Sequence, residues 1–414
     1  MVSIQLQDHM QCARWCATSS PADVKGLFRV VPEAEPSDFQ AMRMGYININ
    51  RAARVCISWP STLVSRKSAQ SHSRKLHSTS TTMAQQNIVS LVSPQEVQAN
   101  GLSSYRILDS SFHLPNSGRS AIEEFRRGPR LPNARLFDHE VIADTGYTID
   151  GTVKLGHMQP DLATFKREVE RLGLTRTDHL LVYDSVGIFS APRAAWLLNA
   201  YGHPKVSVLD GGLPRWIKEE CPIESGPSSP MEPDRSEYEL AGFDENSARE
   251  KVISYEDLVL NFKKPIHEER MIVFDARLRA RFLGTDPEPR PGLSSGHIPE
   301  SLSLPFTSLL TQPSTSDPYR QYLSPEKLDE VFLKTLNNDQ SKWDQIKNGQ
   351  KGVIVSCGSG MTACIIWLAL SVAHGSHPGS NSLQSVKLFD ESWTGYALRK
   401  NSVIVTDLNS KTSS

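Results

Sequence analysis

The chain has 414 residues, with 45 Lys and Arg against 46 Asp and Glu, and a net charge of −1. That length allows two domains with tails, the near-neutral balance gives no electrostatic case for nucleic acid or an acidic partner, and no apolar run reaches the length of a membrane span. Cys12, Cys16, Cys56, Cys221, Cys357 and Cys364 are too sparse and irregular for a disulfide framework and fit a reducing compartment. Cys12 and Cys16 lack a second close pair or a His pair, which excludes the usual zinc patterns there.

Residues 1–85 do not read as a packed domain. Between Met44 and Met83 stand six basic residues (Arg51, Arg54, Arg66, Lys67, Arg74 and Lys75) and no acid, amid crowded Ser and Thr. This is the composition of a mitochondrial transit peptide, so a mitochondrial destination is expected; the alternative is a disordered basic tail that targets nothing. Asp8, Asp23, Glu33, Glu35 and Asp38 precede the basic stretch, and transit peptides avoid acids. Translation from Met42 or Met44, or a wrongly assigned first exon, accounts for them. A start at Met83 gives an untargeted, cytoplasmic form.

Further along, the chain reads as two copies of one pattern. Arg106-Ile107-Leu108-Asp109 predicts a short strand ending in an acid, and Met271-Ile272-Val273-Phe274-Asp275 repeats it. Leu180-Leu181-Val182-Tyr183-Asp184 is matched by Val353-Ile354-Val355-Ser356-Cys357. Each is followed by a small-residue loop and an apolar helix, predicted over 191–201 and 363–373. Val206-Ser207-Val208-Leu209-Asp210 parallels Val386-Lys387-Leu388-Phe389-Asp390, with Trp216 and Tyr396 six residues beyond the acids. Strands alternating with helices predict an α/β fold: two tandem domains, each a mainly parallel sheet flanked by helices. Ligands in such sheets bind at the carboxyl ends of strands, where Asp109, Asp184, Asp210, Asp275, Cys357 and Asp390 fall. Glu224–Asp234, rich in Pro and Ser, reads as a linker. The expected divisions are a tail 1–85, a first domain 86–223, a linker 224–249, a second domain 250–405 and a tail 406–414.

Cys357 stands between a strand end and a helix start. Free backbone N–H groups and the positive end of a helix dipole favour an anion there, which populates a thiolate. Cys357 is therefore the candidate nucleophile. Cys364, inside the apolar helix, is read as a small core residue rather than a resolving thiol.

Six strings in fixed order carry a resemblance: Ser190-Ala191-Pro192-Arg193; Leu209-Asp210-Gly211-Gly212-Leu213 with Trp216; Phe274-Asp275-Ala276-Arg277; the run Arg281 to Arg290; Gly296-His297-Ile298-Pro299; and the Cys357 loop. Over about residues 86–405 the chain resembles the two-domain rhodanese superfamily, most closely its 3-mercaptopyruvate sulfurtransferases. The resemblance implies that only the C-terminal copy is catalytic, with Asp184 standing where the other copy has Cys357. It implies a persulfide on Cys357, formed from a small sulfur donor and passed to an acceptor such as thioredoxin, glutathione, cyanide or a sulfur-carrier protein, with no cofactor and no metal. Gly358, Ser359, Gly360, Met361, Thr362 and Ala363 form the anion cradle. This loop has no charge, as in the mercaptopyruvate type, whereas thiosulfate-preferring members place cations in it.

Read alone, Arg281 and Arg290 are solvated surface side chains; the motif gives both a role in gripping the donor carboxylate, which suits the arginine fork. Ser359 is read as a hydrogen-bond donor to substrate or a cap of the following helix, Thr362 as a cap, and Met361 as packing for the loop. In some mercaptopyruvate enzymes an N-terminal-domain His with an upstream acid has been proposed to move protons. Arg130 and Ser120 stand at those positions here, so that relay is absent. His297 is read as structural. Glu391, in place of a family glycine, and Tyr396, in place of a tryptophan, are read as local variation near the domain's end. The inserted stretch between Ala373 and Leu388 is read as a surface loop whose His374 and His377 are weak metal evidence.

Three rivals remain. A Cys-dependent phosphatase needs an arginine six residues after the nucleophile, where Ala363 stands. A sulfur-relay module, for instance in tRNA thiolation, shares the chemistry and differs in acceptor, and thiosulfate is the alternative donor. A catalytically dead scaffold conflicts with the intact Cys357 loop and both arginines.

Overall fold

The computed structural model describes residues 88–407 apart from 145, 150, 152, 228–235, 241–244, 266–269 and 375–384. The expected transit peptide, the candidate start positions, much of the linker and most of the inserted loop, including His377, therefore lie outside the described residues.

The strands in chain order are β1 Ile88–Val92, β2 Arg106–Asp109, β3 Arg135–Leu136, β4 Thr148–Ile149, β5 Val153–Lys154, β6 Leu180–Tyr183, β7 Lys205–Leu209, β8 Ile272–Asp275, β9 Leu302–Ser303, β10 Val353–Ser356 and β11 Val386–Leu388. The first sheet runs β1-β7-β6-β2-β3 and the second β11-β10-β8-β9, with every ladder parallel. Val252 adds one parallel bridge to Leu388, at the edge that β1 occupies beside β7. The repeat extends to register: Tyr183 faces Asp109, and Ser356 faces Asp275. In both sheets the residue before the loop thus sits opposite a strand-end carboxylate.

The central strands β6 and β10 are buried at all four positions, which explains their unbroken apolar runs: a parallel strand covered on both faces has no polar side. Helix Ala191–Ala200 ends one residue earlier than predicted, and Ala363–Ala373 matches its prediction. Both are apolar nearly all round, as a helix enclosed by protein must be. They pack on one another across the border between the copies, and one continuous core holds Trp196 and Leu197 with Ile365, Ile366 and Phe332. Each such side chain contributes about 1.5–3 kcal/mol by leaving water, so the halves form one body.

Polar contacts fasten the same border. Arg193 Nη1 donates to Asp390 Oδ1 at 2.7 Å, and the pair is buried. Asp390 Oδ2 also accepts the Gln159 amide at 2.6 Å, while Asp210 Oδ1 accepts the Tyr322 amide at 2.9 Å. The antiparallel β4–β5 pair lies beside a small cluster of Tyr147, Ile149, Leu155 and Met158 that takes in Leu398 of the second copy.

One sequence reading is corrected here, and another gains detail. The described parts of the expected linker 224–249 pack on the first domain and the core. Glu224 and Arg130 exchange backbone hydrogen bonds of 2.9 Å. Tyr238 is fully buried, its hydroxyl 2.7 Å from His203 Nδ1, and helix Glu245–Arg249 brings Ala248 into the core. Pro and Ser content reports chain stiffness and says nothing of one aromatic that finds a pocket. Glu391, read as local variation, is buried and accepts the Tyr147 hydroxyl at 2.5 Å and Arg399 Nη2 at 3.0 Å. It is one side of an interdomain clasp. Tyr396, equally central, lies buried against Trp393 and Tyr255. Nearness to a domain's end in sequence does not mean the periphery in space.

Candidate active site

The loop after β6 shows what this architecture asks of its first residue. Asp184 is fully buried, and its Oδ1 accepts the amides of Val186 and Gly187, each at 2.9 Å. Its Oδ2 accepts those of Phe189, Ser190 and Ala191 at 2.8, 3.0 and 2.9 Å. Five N–H groups converge on one carboxylate, as a tight turn leading into a helix makes them do.

The loop after β10 has the same frame with a thiol at its start. Cys357 is 2% exposed. Ser392 Oγ accepts the amides of Cys357 and Gly360 at 3.1 and 3.0 Å and donates to Phe389 O at 2.8 Å. Ser392 itself has a left-handed backbone, φ 51°. The amides of Gly358, Ser359, Met361 and Thr362 have no hydrogen-bond partner among the described residues. Gly360 has φ 80°, and a Cβ there would meet Asp390 Oδ1 at 2.7 Å, so this glycine is required on two grounds.

Arg281 reaches the loop: a Cβ on Gly358 would meet its Nη2 at 3.4 Å. Its charge is already engaged, with Nε 3.2 Å from Glu288 Oε2 and Nη2 on the same oxygen. Glu288 is shared with Arg277, whose Nη1 donates at 2.8 Å while its Nε and Nη2 hold Asp275. Arg290 differs. Its Nη1 donates to Thr394 Oγ1, which in turn donates to Gly358 O at 2.6 Å. Arg290 pairs with no carboxylate among the described residues. Desolvation of the guanidinium lowers its pKa, opposed by the nearby Cys357. Three guanidinium groups thus meet two carboxylates, and the uncompensated charge belongs to Arg290.

Other candidates sort plainly. Met361 is buried and packs the loop. Thr362 occupies the N-cap position of helix Ala363–Ala373, but its side chain makes no cap hydrogen bond; the expected cap is corrected because Thr362 has helical backbone (φ −76°, ψ −13°) instead of the extended form that aims a cap side chain. The N-cap is Thr362, so Ser359 does not cap the helix either. Cys364 is fully buried, with its thiol pushed up to about 12 by burial. Arg130 donates to Phe125 O and Gly226 O at 3.2 and 2.9 Å, and Ser120 caps helix Ala121–Arg127; both serve structure. His297 stacks on Phe282, its Nδ1 2.9 Å from Phe282 O. Among the described residues no group of His, Cys, Asp and Glu is arranged to hold a metal, and no helix is long and apolar enough to cross a membrane.

Sequence reasoning missed Ser392, Thr394 and Glu288. The first two lie after the second aspartate of the repeat, and Asp390 offers the only sequence signal that this segment turns back to the cysteine. Glu288 lies within the arginine run, where nothing local shows which cations it pairs with.

Comparison with known proteins identifies the family. The rhodanese-like domain family matches residues 121–219 and 259–399. The human 3-mercaptopyruvate sulfurtransferase is 32% identical over 71% of this chain and 85% of its own length. An Arabidopsis thaliana protein, "Thiosulfate/3-mercaptopyruvate sulfurtransferase 1, mitochondrial", is 33% identical over 70% of this chain and 71% of its own. The crystal structure of Tum1 from Saccharomyces cerevisiae superposes with a TM-score of 0.62 at 30% identity, covering 77% of this chain and 98% of that one. With both copies matched and such relatives covered along most of their length, the chain belongs to the rhodanese family as a two-domain sulfurtransferase.

Proposed function

We propose that this protein is a 3-mercaptopyruvate sulfurtransferase whose thiolate is Cys357. The thiolate attacks the donor's sulfur, the carbon–sulfur bond breaks, pyruvate leaves, and the resulting persulfide is passed to a thiol such as thioredoxin or glutathione, or to a sulfur-carrier protein. The observation that carries this reading is the contrast between a cradle of amides filled by the Asp184 carboxylate and a matching loop whose amides stand open around Cys357. Open amides at a helix N-terminus favour a thiolate and then the terminal sulfur of a persulfide. Arg290, without a carboxylate partner among the described residues, supplies the grip for the donor's carboxylate; Arg281, shared with Glu288, positions it.

Thiosulfate is the second reading. An amide cradle accepts any compact anion, and the Arabidopsis relative's name carries both donors. The acid-free basic stretch before Met83 and that relative's name support a mitochondrial site. We take residues 86–223 and 250–405 as the two domains.

Incubating the purified chain with either donor tests the assignment, by following pyruvate release and the mass of Cys357. One added sulfur from mercaptopyruvate, lost in Cys357→Ser, is the expected result. No pyruvate and no persulfide would sink the proposal, and a faster reaction with thiosulfate would reassign the donor.

A further inference from the structure

We infer that His157 moves the proton of the first half-reaction, taking it from the donor's thiol and delivering it to the carbon that leaves. This rests on mercaptopyruvate being the donor. The transfer demands such a group. When the Cys357 thiolate bonds to the donor sulfur, the carbon–sulfur electron pair goes to C3 of the leaving group, which departs as the pyruvate enolate. The transferred sulfur still carries its hydrogen, and the enolate lacks one. One proton passed from sulfur to C3 completes the step: Cys–S⁻ and HS–CH2–CO–COO⁻ become Cys–S–S⁻ and CH3–CO–COO⁻. The sulfur of Cys357 is oxidised, the donor carbon is reduced, and no outside reactant is needed.

His157, in the first domain, is held by its carbonyl to an arginine that lies against Gly360 of the cysteine loop. Arg193 Nη2 donates to His157 O at 2.6 Å, while Nη1 of the same guanidinium holds Asp390 and would lie 3.4 Å from a Cβ on Gly360. Two residues on, the Gln159 amide donates to Asp390 as well. The backbone of His157 is left-handed, φ 65°, uncommon for any residue with a Cβ. The ring is braced edge-on by Phe112, 4.5 Å between centroids, and lies within electrostatic reach of Arg290, which is within reach of Cys357.

Within this brace Nδ1 is buried and has no hydrogen-bond partner among the described residues. A buried ring nitrogen without a partner is an expensive feature to keep unless substrate supplies the partner. Burial, then Arg193 and Arg290, hold the imidazole pKa down to about 4, so the resting ring is neutral and the protonated ring is a strong acid toward an enolate. The neighbouring His139 is engaged, its Nε2 3.1 Å from Ser110 O.

Thiosulfate provides the test, because its sulfur–sulfur bond breaks to release sulfite with no proton to relocate. In the full chain, His157→Ala and His157→Gln are compared with wild type by single-turnover formation of the Cys357 persulfide from each donor. The expected result is that the rate with mercaptopyruvate falls about a hundredfold relative to the rate with thiosulfate, in both variants, since glutamine keeps hydrogen bonding and cannot carry the proton. Equal loss with both donors, which a merely structural ring would give, overturns the inference, as does no loss with either. A wild-type chain inert toward mercaptopyruvate but active with thiosulfate overturns the donor assignment itself, and this inference with it.

Discussion

The loops after β6 and β10 occupy the same place in two copies of one sheet and meet the same electrostatic demand in opposite ways. In the first copy the demand is met internally: the Asp184 carboxylate takes five amides. In the second, the amides are held in shape from outside, by Ser392 beneath Cys357 and Gly360 and by Thr394 beneath Gly358. A cradle that is closed contributes to stability, and a cradle that is open has stability withheld so that an anion can supply it. On the proposed function one copy serves as scaffold and the other as site, although both loops follow a central strand of a parallel sheet.

The same contrast runs through the neighbouring strand ends. Asp275 is held by the guanidinium of Arg277, whereas its counterpart Asp109 has the hydroxyl and amide of Ser111, and burial pushes its carboxyl up to about 6. The second copy holds Asp275 and Asp390 on arginines; the first buries Asp109 and Asp184 on hydroxyl and amide donors alone.

Removing the proposed nucleophile gives the largest effect. Cys357→Ser should lower pyruvate release on the order of a thousandfold or more, because no other group can take its place, while leaving the unfolding midpoint nearly unchanged. Asp184→Ala should do the reverse. Stranding five buried N–H groups costs on the order of 3 kcal/mol or more, read by urea unfolding, while turnover per folded molecule persists. If Asp184→Ala is silent in stability, the closed-cradle reading fails.

The buried acid comes next. Because the Asp109 carboxyl is raised in the folded state above an ordinary value near 4, folding favours its protonated form. Its contribution is fully present below pH about 4 and is lost as pH rises through about 6, a change on the order of 3 kcal/mol. Asp109→Asn should flatten that part of the stability–pH curve, and an unaltered slope would refute it.

In the open cradle, Arg290→Ala should lower kcat/KM for mercaptopyruvate by about 10- to 100-fold, the worth of a charge-assisted hydrogen bond, and lower thiosulfate use less. Arg281→Ala should also weaken the loop by releasing Glu288; if it alone discriminates between donors, the roles are exchanged. The smallest effect is at the clasp. Tyr147→Phe removes one hydrogen bond to Glu391 and should cost about 1 kcal/mol with turnover almost unaltered.

The chain carried its own fold plainly. Unbroken apolar runs ending in Asp or Cys marked strands buried on both faces, and their recurrence marked the duplication, since a parallel strand has little freedom in composition. The proposed nucleophile was equally legible, because one residue at a strand end, before small residues and an apolar helix, defines a candidate anion site locally. What tertiary structure decided depends on partners far apart in sequence. Glu288 compensates Arg281 and leaves Arg290 uncompensated; Arg193 spans 197 positions to Asp390; Ser392 sits 35 residues from the amide that it braces. Composition cannot show which of two arginines keeps its charge, nor that a histidine in the first domain is clamped beside a loop of the second. Charge pairing and burial are properties of the assembled border between the copies, and they exist only once the two sheets have closed on one core.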